Sequence, residues 1–282
     1  MTTSSKRKII ITVAPVCHVE KSLPEGCINP IAPGEIGAEV ENCVKAGAGM
    51  VHLHVRDITG KQTFSLDIFE QTLDEIRSRT DVIIQGSTGG LADFTLEERC
   101  VCLNDPRVEV ASLNMGSVNF GDTVYINTIP DIAFWSNRMR ETNVIPEMEC
   151  FDLSHVEACS RLADQKIIDR PLHLNFCMGS GLASALSLND RNLFFMKSVA
   201  EQGAHWGLTH DSMPGLEGLA LALSMGASAV RVGFEDSAYY AKGKLAKTNA
   251  ELVEKLVEMV HSMGYETATP AEARKMMGLP PL

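Results

Sequence analysis

The chain alternates short β-type runs with helical patterns, and this alternation constrains its fold more than any other feature of the sequence. Several runs are almost continuously apolar, as is typical of strands buried on both faces of a parallel sheet. Between them, apolar residues recur at helical spacing, for example at Ile36, Val40 and Val44. Eight runs can be counted, at residues 9–14, 50–55, 82–85, 108–114, 144–150, 172–177, 205–209 and 229–234.

Three segments of the chain share one order of features: a helix end, a glycine, a strand and then an acidic residue. They are residues 46–57, 202–211 and 225–236. Glycine at a helix C-terminus adopts the left-handed conformation that other residues resist, so each segment marks one helix–strand junction. Eight strand–helix units fit the roughly 250 residues of a closed barrel. We therefore predict an α/β protein with a single (β/α)8 TIM-barrel domain over residues 1–282, in which residues 1–7 are flexible.

A doubly wound parallel sheet is the alternative arrangement of alternating strands and helices. Such a sheet usually carries a glycine-rich phosphate-binding turn after its first strand. Here the first run continues into Ala14-Pro15-Val16-Cys17-His18, which contains no glycine. The closed barrel is therefore the favoured architecture.

The charge and composition of the chain exclude several classes of function. Its 282 residues include 25 Lys and Arg against 36 Asp and Glu, a formal net charge of −11. A nucleic-acid partner is not expected, because neutralising a phosphate backbone needs clustered cations. No apolar run approaches the roughly 18 residues of a membrane span, so we expect no membrane association. The eight cysteines form no Cys-x-x-Cys pair and no export signal is visible, which predicts a cytoplasmic protein with reduced thiols.

The sharpest local signal is His52-Leu53-His54 in the second run. Residues two apart in a strand point to the same side, so both imidazoles face the barrel axis. A divalent metal satisfies such a pair, and imidazole is a natural zinc ligand. The alternative is a pair of hydrogen-bonded core histidines. We predict a metal site, because two inward histidines at a strand end are costly without a ligand.

The end of the eighth run offers a third metal ligand. A catalytic zinc ion usually has three protein ligands and an open position. In a closed barrel the eighth strand pairs with the first, so its end lies two strands from the histidine pair, and Glu235 is within reach. Arg231 shares the inward parity of Glu235, and Asp236 follows at the start of the loop. The alternative for this group is an ion-pair cluster on the surface.

Other polar residues collect at the predicted C-terminal strand ends, where TIM-barrel enzymes build their active sites. The loop at residues 86–90, Gly-Ser-Thr-Gly-Gly, offers backbone amides and two hydroxyls that can hold a carboxylate or phosphate, although an ordinary turn is the alternative. Glu147 and Glu149 can face inward together by the parity rule. The remaining polar strand ends include Ser112, Asn114, Asn175, His210 and Asp211.

At these residues the sequence resembles the β-keto acid cleavage enzymes, typified by the 3-keto-5-aminohexanoate cleavage enzyme of lysine fermentation. The resemblance extends over residues 9–279. It rests on His-Leu-His-Val-Arg-Asp within 46–57, on 87–90, on Ser-Leu-Asn-Met-Gly-Ser-Val-Asn-Phe at 112–120, on Pro-Glu-Met-Glu-Cys-Phe-Asp at 146–152 and on 231–236. No single block would suffice, but spaced blocks in the right order on the right strands make the match specific.

This resemblance implies a zinc-dependent TIM-barrel acyltransferase of amino acid catabolism. The family converts a β-keto acid and acetyl-CoA into acetoacetate and a new acyl-CoA by Claisen and retro-Claisen steps. It also implies a homo-oligomer, since relatives suggest a tetramer. The implied site residues are the metal ligands His52, His54 and Glu235, the general base Asp236 with its charge partners Arg231 and Glu149, and the substrate-binding residues Ser87, Thr88, Gly89 and Ser112.

The loop after the first strand departs from the family pattern. A typical member carries a glutamate there that pairs with the substrate amine. A one-residue shift decides whether Val19 or Glu20 takes that position in this chain. Glu20 in the pocket implies a cationic tail on the substrate, amino or trimethylammonium, whereas Val19 implies a neutral tail.

Two other classes of function compete with this interpretation. A metal-dependent hydrolase of the amidohydrolase type also carries His-x-His at a barrel strand end, but on the first strand and with further histidines later; it would turn over without CoA. A metal-binding or sensor protein is the non-enzymic alternative, which the polar rim of the barrel disfavours. The candidate contacts for the CoA phosphates, each of which also fits a solvated surface charge, are Arg56, Lys61, Lys242 and Lys244.

Overall fold

Eight parallel strands close into a barrel in the computed structural model of the chain. The structure describes residues 6–17, 23–90, 94–120, 122–179 and 185–282. The barrel strands are β1 (Lys8–Val13), β2 (Met50–Leu53), β3 (Ile83–Gly86), β4 (Val110–Asn114), β5 (Ile145–Cys150), β6 (His173–Phe176), β7 (His205–Thr209) and β8 (Ala229–Val232). Each of these strands pairs with the next in chain order, and β8 pairs with β1, which closes the ring.

Helices connect the barrel strands and cover their outer faces. They are α1 (Pro33–Ala46), α2 (Leu66–Arg77), α3 (Leu96–Arg99), α4 (Ile129–Thr142), α5 (Leu153–Asp164), α6 (Asp190–Val199), α7 (Glu217–Ser224), α8 (Asn249–Ser262) and α9 (Pro270–Met277), with a 3-10 turn at Val101–Asn104. Two short hairpins follow β4 and β8. The first pairs Val118–Phe120 with Thr123–Tyr125, and the second pairs Tyr239–Ala241 with Lys244–Leu245.

The predicted (β/α)8 barrel is confirmed, and each of the eight predicted runs overlaps one barrel strand. The glycines of the three repeated segments have the positive φ that their position predicts: 122° at Gly47, 87° at Gly203 and 105° at Gly226. At the closure, Thr12 of β1 is in register with Arg231 of β8 on one side and with Met50 of β2 on the other. The ends of β2 and β8 therefore flank β1, as the predicted metal site requires.

Strand residues alternate between the layer under the helices and the barrel interior. Val51 and Leu53 of β2 are buried in the main apolar core, as predicted from their parity. A separate apolar cluster contains the early strand residues Met50, Ile83 and Val110. This cluster fills the N-terminal end of the barrel, so the polar inward positions lie towards the C-terminal end.

The C-terminal segment covers the N-terminal end of the barrel. The short strand Glu266–Thr267 pairs with the start of β1, and Met277 of α9 packs in the interior apolar cluster. Arg274 of α9 donates to both carboxylate oxygens of Glu109, at 2.6 and 2.9 Å. Arg77 at the end of α2 donates to the same carboxylate at 2.9 Å. Ion pairs as well as packing therefore hold α9 against the barrel.

The N-terminal segment, the cysteines and the lengths of the helices bear on three of the sequence predictions. The predicted flexibility of residues 1–7 falls mostly on residues 1–5, which lie outside the described residues; Arg7 donates to the carbonyl groups of Leu223 and Ala227. The eight cysteines are free thiols, and all but Cys27 are buried. Among the helices of the described ranges, none is long and apolar enough to span a membrane.

Candidate active site

The three predicted metal ligands converge at the C-terminal end of the barrel. His52 lies on β2, His54 follows that strand directly, and Glu235 lies just beyond β8. Their ligand atoms lie within 4.8 Å of one another. The Nε2 atoms of His52 and His54 are 3.7 and 3.5 Å from Glu235 Oε1. Two imidazoles and one carboxylate match the His₂Glu donor set of catalytic zinc sites, so these residues fit such a metal.

A buried hydrogen-bond chain orients His52. Its Nδ1 lies 2.7 Å from Gln85 Oε1, and Gln85 Nε2 donates to Glu147 Oε2 at 2.7 Å. All three side chains are buried. Because the Gln85 nitrogen faces Glu147, its oxygen faces His52, which places the imidazole proton on Nδ1. The lone pair of His52 Nε2 is then directed towards the other two ligands.

Arg231 of β8 joins the acidic side chains of the site. Its Nε and Nη2 donate to the two carboxylate oxygens of Asp236, each at 2.9 Å. Nη2 also donates to Glu235 Oε1 at 2.5 Å, and Nη1 donates to Glu149 Oε1 at 3.3 Å. The guanidinium is buried with its three partners around it. Arg231 therefore holds Asp236 beside the predicted metal ligands and links Glu149 to the same group.

Burial and the arginine together set the ionisation of the site. Burial raises the pKa of Asp236 to about 7, against the opposing effect of Arg231. Burial also raises the pKa of Glu149 to about 8. Burial acts in the same direction on Glu235, but Arg231 and the two histidines hold its pKa well below the usual range. A carboxyl group with a pKa near neutrality, such as Asp236, suits a general base.

A cavity of about 650 Å³ opens over these groups and is called the active-site cavity below. This volume lies within the range of small-molecule binding sites. Phe120 and Tyr125 of the hairpin after β4 form part of its wall. The predicted site residues in the wall are His52, His54, Ser87, Gly89, Glu149, Arg231, Glu235 and Asp236.

The predicted substrate-binding residues divide into two groups. Ser87 and Gly89 line the active-site cavity, and Ser87 Oγ accepts a hydrogen bond from the Gly89 amide at 3.0 Å. Thr88 and Ser112 are fully buried and do not line it. The Thr88 amide donates to Ser112 Oγ at 3.2 Å, and Thr88 Oγ1 donates to the Ser112 carbonyl at 2.6 Å. These two residues brace the loop after β3 against β4, and their contact with substrate stays a prediction.

Asn114 is a polar residue of the cavity wall that the sequence analysis did not select as a substrate contact. It ends β4 in register with Glu149 of β5, and its side chain is 1% exposed. Within the described residues, neither its Oδ1 nor its Nδ2 has a hydrogen-bond partner. Buried amides are normally hydrogen-bonded, so Asn114 is available to a ligand. The sequence signal for Asn114 was its spacing of two residues from Ser112. This spacing puts both side chains on the same side of β4, with Asn114 one inward position nearer the cavity.

A model of a known protein family matches nearly the whole chain. The chain matches the family model described as beta-keto acid cleavage enzyme over residues 8–279. The chain belongs to the β-keto acid cleavage enzyme family. This family member is 38% identical over 274 residues to the 3-keto-5-aminohexanoate cleavage enzyme of Fusobacterium nucleatum subsp. nucleatum, an alignment that covers 96% of this chain and 98% of the relative.

Two further comparisons concern a second relative and a solved structure. The chain is 30% identical over 307 residues to the 3,5-dioxohexanoate:acetyl-CoA acetone transferase of Paraburkholderia graminis, with 98% of this chain and 97% of the relative covered. The apo structure of ObcA is similar with a TM-score of 0.75 and 21% identity, over 89% of this chain. The chain spans only 65% of the ObcA chain, and at this identity the likeness shows the fold alone.

Two predictions about this family member concern the substrate tail and the CoA phosphates. Val19 and Glu20 lie outside the described residues, so the prediction of a cationic or a neutral substrate tail stays open. Among the candidate contacts for the CoA phosphates, Arg56 is 3% exposed and lines the active-site cavity. The other three candidates, which are exposed, are Lys61, Lys242 and Lys244.

Proposed function

We propose that the protein is an acyltransferase that condenses a β-keto acid with acetyl-CoA and cleaves the adduct to acetoacetate and a new acyl-CoA. Family membership and a relative named as an acetyl-CoA transferase support this reaction. The observation that carries it is the position of Asp236. This carboxyl group is held by Arg231 and lines the same cavity as His52, His54 and Glu235.

We assign zinc to the site formed by His52, His54 and Glu235. Zinc bound there supplies Lewis-acid polarisation of the substrate ketone. The two imidazole donors support zinc over magnesium or calcium, which prefer oxygen ligands. Gln85 contributes by holding His52 in the tautomer that offers Nε2.

Asp236 acts as the general base in this proposal. The carbon between the ketone and the carboxylate of a β-keto acid carries an acidic proton, which Asp236 takes onto a carboxylate oxygen. A positioned general base typically contributes about 10²–10⁴-fold to the rate. Arg231 orients Asp236 through two parallel hydrogen bonds, and Glu149 fixes the far side of the guanidinium.

The remaining steps follow from the chemistry of the two substrates. The carbanion attacks the thioester carbonyl of acetyl-CoA, and coenzyme A leaves as its thiolate. The thiolate adds to the original ketone, and the bond between that carbonyl and the former α carbon breaks. Acetoacetate takes back a proton from Asp236, and the substrate tail leaves as an acyl-CoA. No nucleophilic cysteine takes part. Cys177 lines the active-site cavity, but burial raises the pKa of its thiol well above the usual range, which disfavours the thiolate.

We place the substrate carboxylate at the ends of β3 and β4. Ser87, the backbone of Gly89 and the amide of Asn114 line the active-site cavity there. Asn114 can donate from a nitrogen that has no protein partner within the described residues. Thr88 and Ser112 then serve the carboxylate by holding the loop that carries Ser87 and Gly89.

The tail of the substrate has three supported forms, one of them the acidic tail in the name of the 3-oxoadipate:acetyl-CoA acetyltransferase of Cupriavidus necator. One relative is named for a substrate that carries an amine, and another for a substrate with a second ketone. The first matches Glu20 in the pocket, and the second matches Val19. We also propose a homo-oligomer, a tetramer on the family resemblance, that works in the cytoplasm, where its eight free thiols stay reduced.

The test of the proposed reaction is acetoacetate release from a panel of β-keto acids by the zinc-loaded protein, with and without acetyl-CoA. The panel contains 5-amino-3-oxohexanoate, 3-dehydrocarnitine, and neutral and acidic analogues. We expect release that depends strictly on acetyl-CoA, and the best tail distinguishes Glu20 from Val19. Turnover without acetyl-CoA would favour a metal-dependent hydrolase instead. The Asp236→Asn variant should keep its zinc and lose exchange of the α proton by about 10²-fold or more.

Deuterium incorporation followed by NMR in the absence of acetyl-CoA measures that exchange directly. Asp169→Asn is the matched control, because Asp169 is an exposed partner of Arg140 outside the cavity. Exchange at the wild-type rate in Asp236→Asn would remove Asp236 from the role of base, even if acetyl-CoA-dependent turnover were observed.

A further inference from the structure

Arg56 is a buried cation in the wall of the active-site cavity. Its side chain is 3% exposed, and it lies two residues beyond His54, on the same side of the chain as the histidine pair. Its Nε and Nη1 atoms are buried and have no hydrogen-bond partner within the described residues. The ion pairs of those residues also leave it out. A buried guanidinium in this state is costly to the fold unless a ligand completes it.

The other buried arginines of the described ranges show what Arg56 lacks. Arg99 donates to the carbonyl groups of two loop residues and to the side chain of Asn127. Arg231 has three carboxylate partners, and Arg274 binds both oxygens of Glu109. The fold therefore satisfies its buried guanidinium groups elsewhere. The exception is Arg56, which lines the active-site cavity.

Arg56 forms an isolated β-bridge with Gln62, whose Nε2 donates to the Gly89 carbonyl at 3.3 Å. Burial lowers the pKa of its guanidinium, and the charges that oppose this effect belong to Glu235 and Cys17, beyond β8 and β1. Ser87 and Asn114 lie after β3 and at the end of β4 and line the same cavity. Arg56, Ser87 and Asn114 therefore face one cavity together with the predicted metal ligands.

We propose that Arg56 is a carboxylate-binding residue of the active-site cavity, which receives a carboxylate of the bound β-keto acid. The guanidinium fork matches a carboxylate through paired hydrogen bonds. The negative charge of Glu235 is already shared with Arg231 and the two histidines, so it does not neutralise Arg56. The inference rests on the proposed function for the identity of the acid.

The depth of Arg56 excludes the phosphates of CoA as its partner. The thioester of acetyl-CoA has to reach the substrate carbon beside Asp236. The long pantetheine arm then holds the pyrophosphate away from the metal ligands, towards the open end of the cavity. Arg56 is buried, and it follows the predicted ligand His54 by two residues in the sequence. A carboxylate of the small acid is the anion that can reach it.

Two carboxylates can satisfy this description, and two probes distinguish them. Acetoacetate has only the carboxylate next to the reacting carbon. 3-Oxoadipate has that group and a second carboxylate at the end of its tail. The experiment is calorimetric titration of zinc-loaded wild type and Arg56→Gln with acetoacetate, 3-oxoadipate and CoA. Arg140→Gln is the matched control, because Arg140 is an exposed partner of Asp169.

We expect Arg56→Gln to weaken acid binding by about 30-fold or more, the usual consequence of removing one partner from a buried charge pair. A loss for both acids assigns Arg56 to the reacting carboxylate. A loss for 3-oxoadipate alone assigns it to the tail. The affinity for CoA should not change. Unchanged affinity for both acids, or a loss confined to CoA, would overturn the proposal.

A second readout separates binding from a structural role. Arg56→Gln removes an unpaired buried charge, so the thermal midpoint of the ligand-free protein should stay the same or rise. A structural arginine would lower it. Should the Gln variant not fold, Arg56→Lys keeps the charge but loses the fork, and an acid affinity equal to wild type in that variant would contradict the proposal. A zinc-loaded wild type that binds neither acid contradicts the proposed function itself, and this inference with it.

Discussion

At the residue scale, the predicted metal site depends on an amide that is not one of its ligands. Gln85 accepts from His52 and donates to Glu147 inside the barrel. We expect Gln85→Leu to weaken zinc affinity by about 10–100-fold, because His52 loses its orientation and Glu147 loses a buried partner. Competition with a chromophoric chelator measures this affinity.

Gln62 provides a matched control for Gln85. Its Nε2 lies 3.5 Å from His54 Nδ1, at the edge of hydrogen-bonding distance, and its side chain is only partly buried. Gln62→Leu should therefore reduce zinc affinity less than Gln85→Leu. Equal losses in the two variants would show that burial and geometry around His52 do not set the affinity.

Parity along the strands predicted which side chains face the axis, but not how deep each one lies. His52, His54 and Glu235 were accessible to sequence reasoning because strand residues two apart share a side. The same rule makes Ser112 and Asn114 equivalent, although only Asn114 lines the cavity. The depth at which the cavity begins depends on how the strands stagger in the closed barrel, and one strand does not encode that stagger.

At the element scale, the barrel strands were predictable and the short elements around the site were not. Apolar runs and helix-ending glycines mark the eight strands over several residues each. The start of α8 also carries a sequence signal, Thr248 followed three residues later by Glu251. Thr248 Oγ1 accepts from the Glu251 amide at 3.1 Å, although the Glu251 carboxylate accepts from the Lys247 amide and not from that of Thr248. The hairpin that pairs Val118–Phe120 with Thr123–Tyr125 has three residues per strand, too few for a periodic signal.

The attachment of α9 provides a test at the same scale. Glu109 binds Arg274 of α9 and Arg77 of α2, and both arginines are mostly buried. We expect Glu109→Ala to lower the free energy of unfolding by about 3–5 kcal/mol, because it leaves two cations without their shared partner. Urea unfolding measures the change. Glu258→Ala, which breaks an exposed pair with Lys255, should cost about 1 kcal/mol or less.

If the two glutamate variants lost equal stability, the ion pairs of Glu109 would not be what secures α9. In that case the apolar contacts of the helix, such as those of Met277, would carry its attachment. A nearly normal stability in Glu109→Ala would lead to the same conclusion.

At the scale of the whole molecule, net charge and local charge have to be separated. The chain carries a net charge of −11, yet two of its buried arginines, Arg56 and Arg231, line the active-site cavity. The acidic balance disfavours a nucleic-acid partner without bearing on a small anionic substrate. The sequence could not show which cations line the cavity. From the sequence, Arg56 also fits a solvated surface charge, and only the closed barrel shows that it is buried in the cavity wall.

The stability of the whole barrel should depend on pH through a histidine that does not line the active-site cavity. His173 stacks on His205, with ring centroids 5.1 Å apart and ring planes 8° apart. Burial, with His205 as a second cause, lowers the pKa of His173 from 6.5 to about 4. The unfolded chain keeps the ordinary pKa, so between about pH 6.5 and pH 4 it binds a proton that the folded chain excludes.

The sign of the effect follows from this difference in proton binding. The stability contributed by neutral His173 is complete above about pH 6.5, falls as the pH drops through the window and levels off below about pH 4, with a total loss of about 3 kcal/mol. Urea unfolding across this range should show His173→Gln losing less stability in acid than wild type, since glutamine gains no proton. His261→Gln, exposed at the end of α8, should follow wild type. Other titrating groups are common to all three proteins and cancel, so parallel curves for wild type and His173→Gln would assign the acid sensitivity to another group.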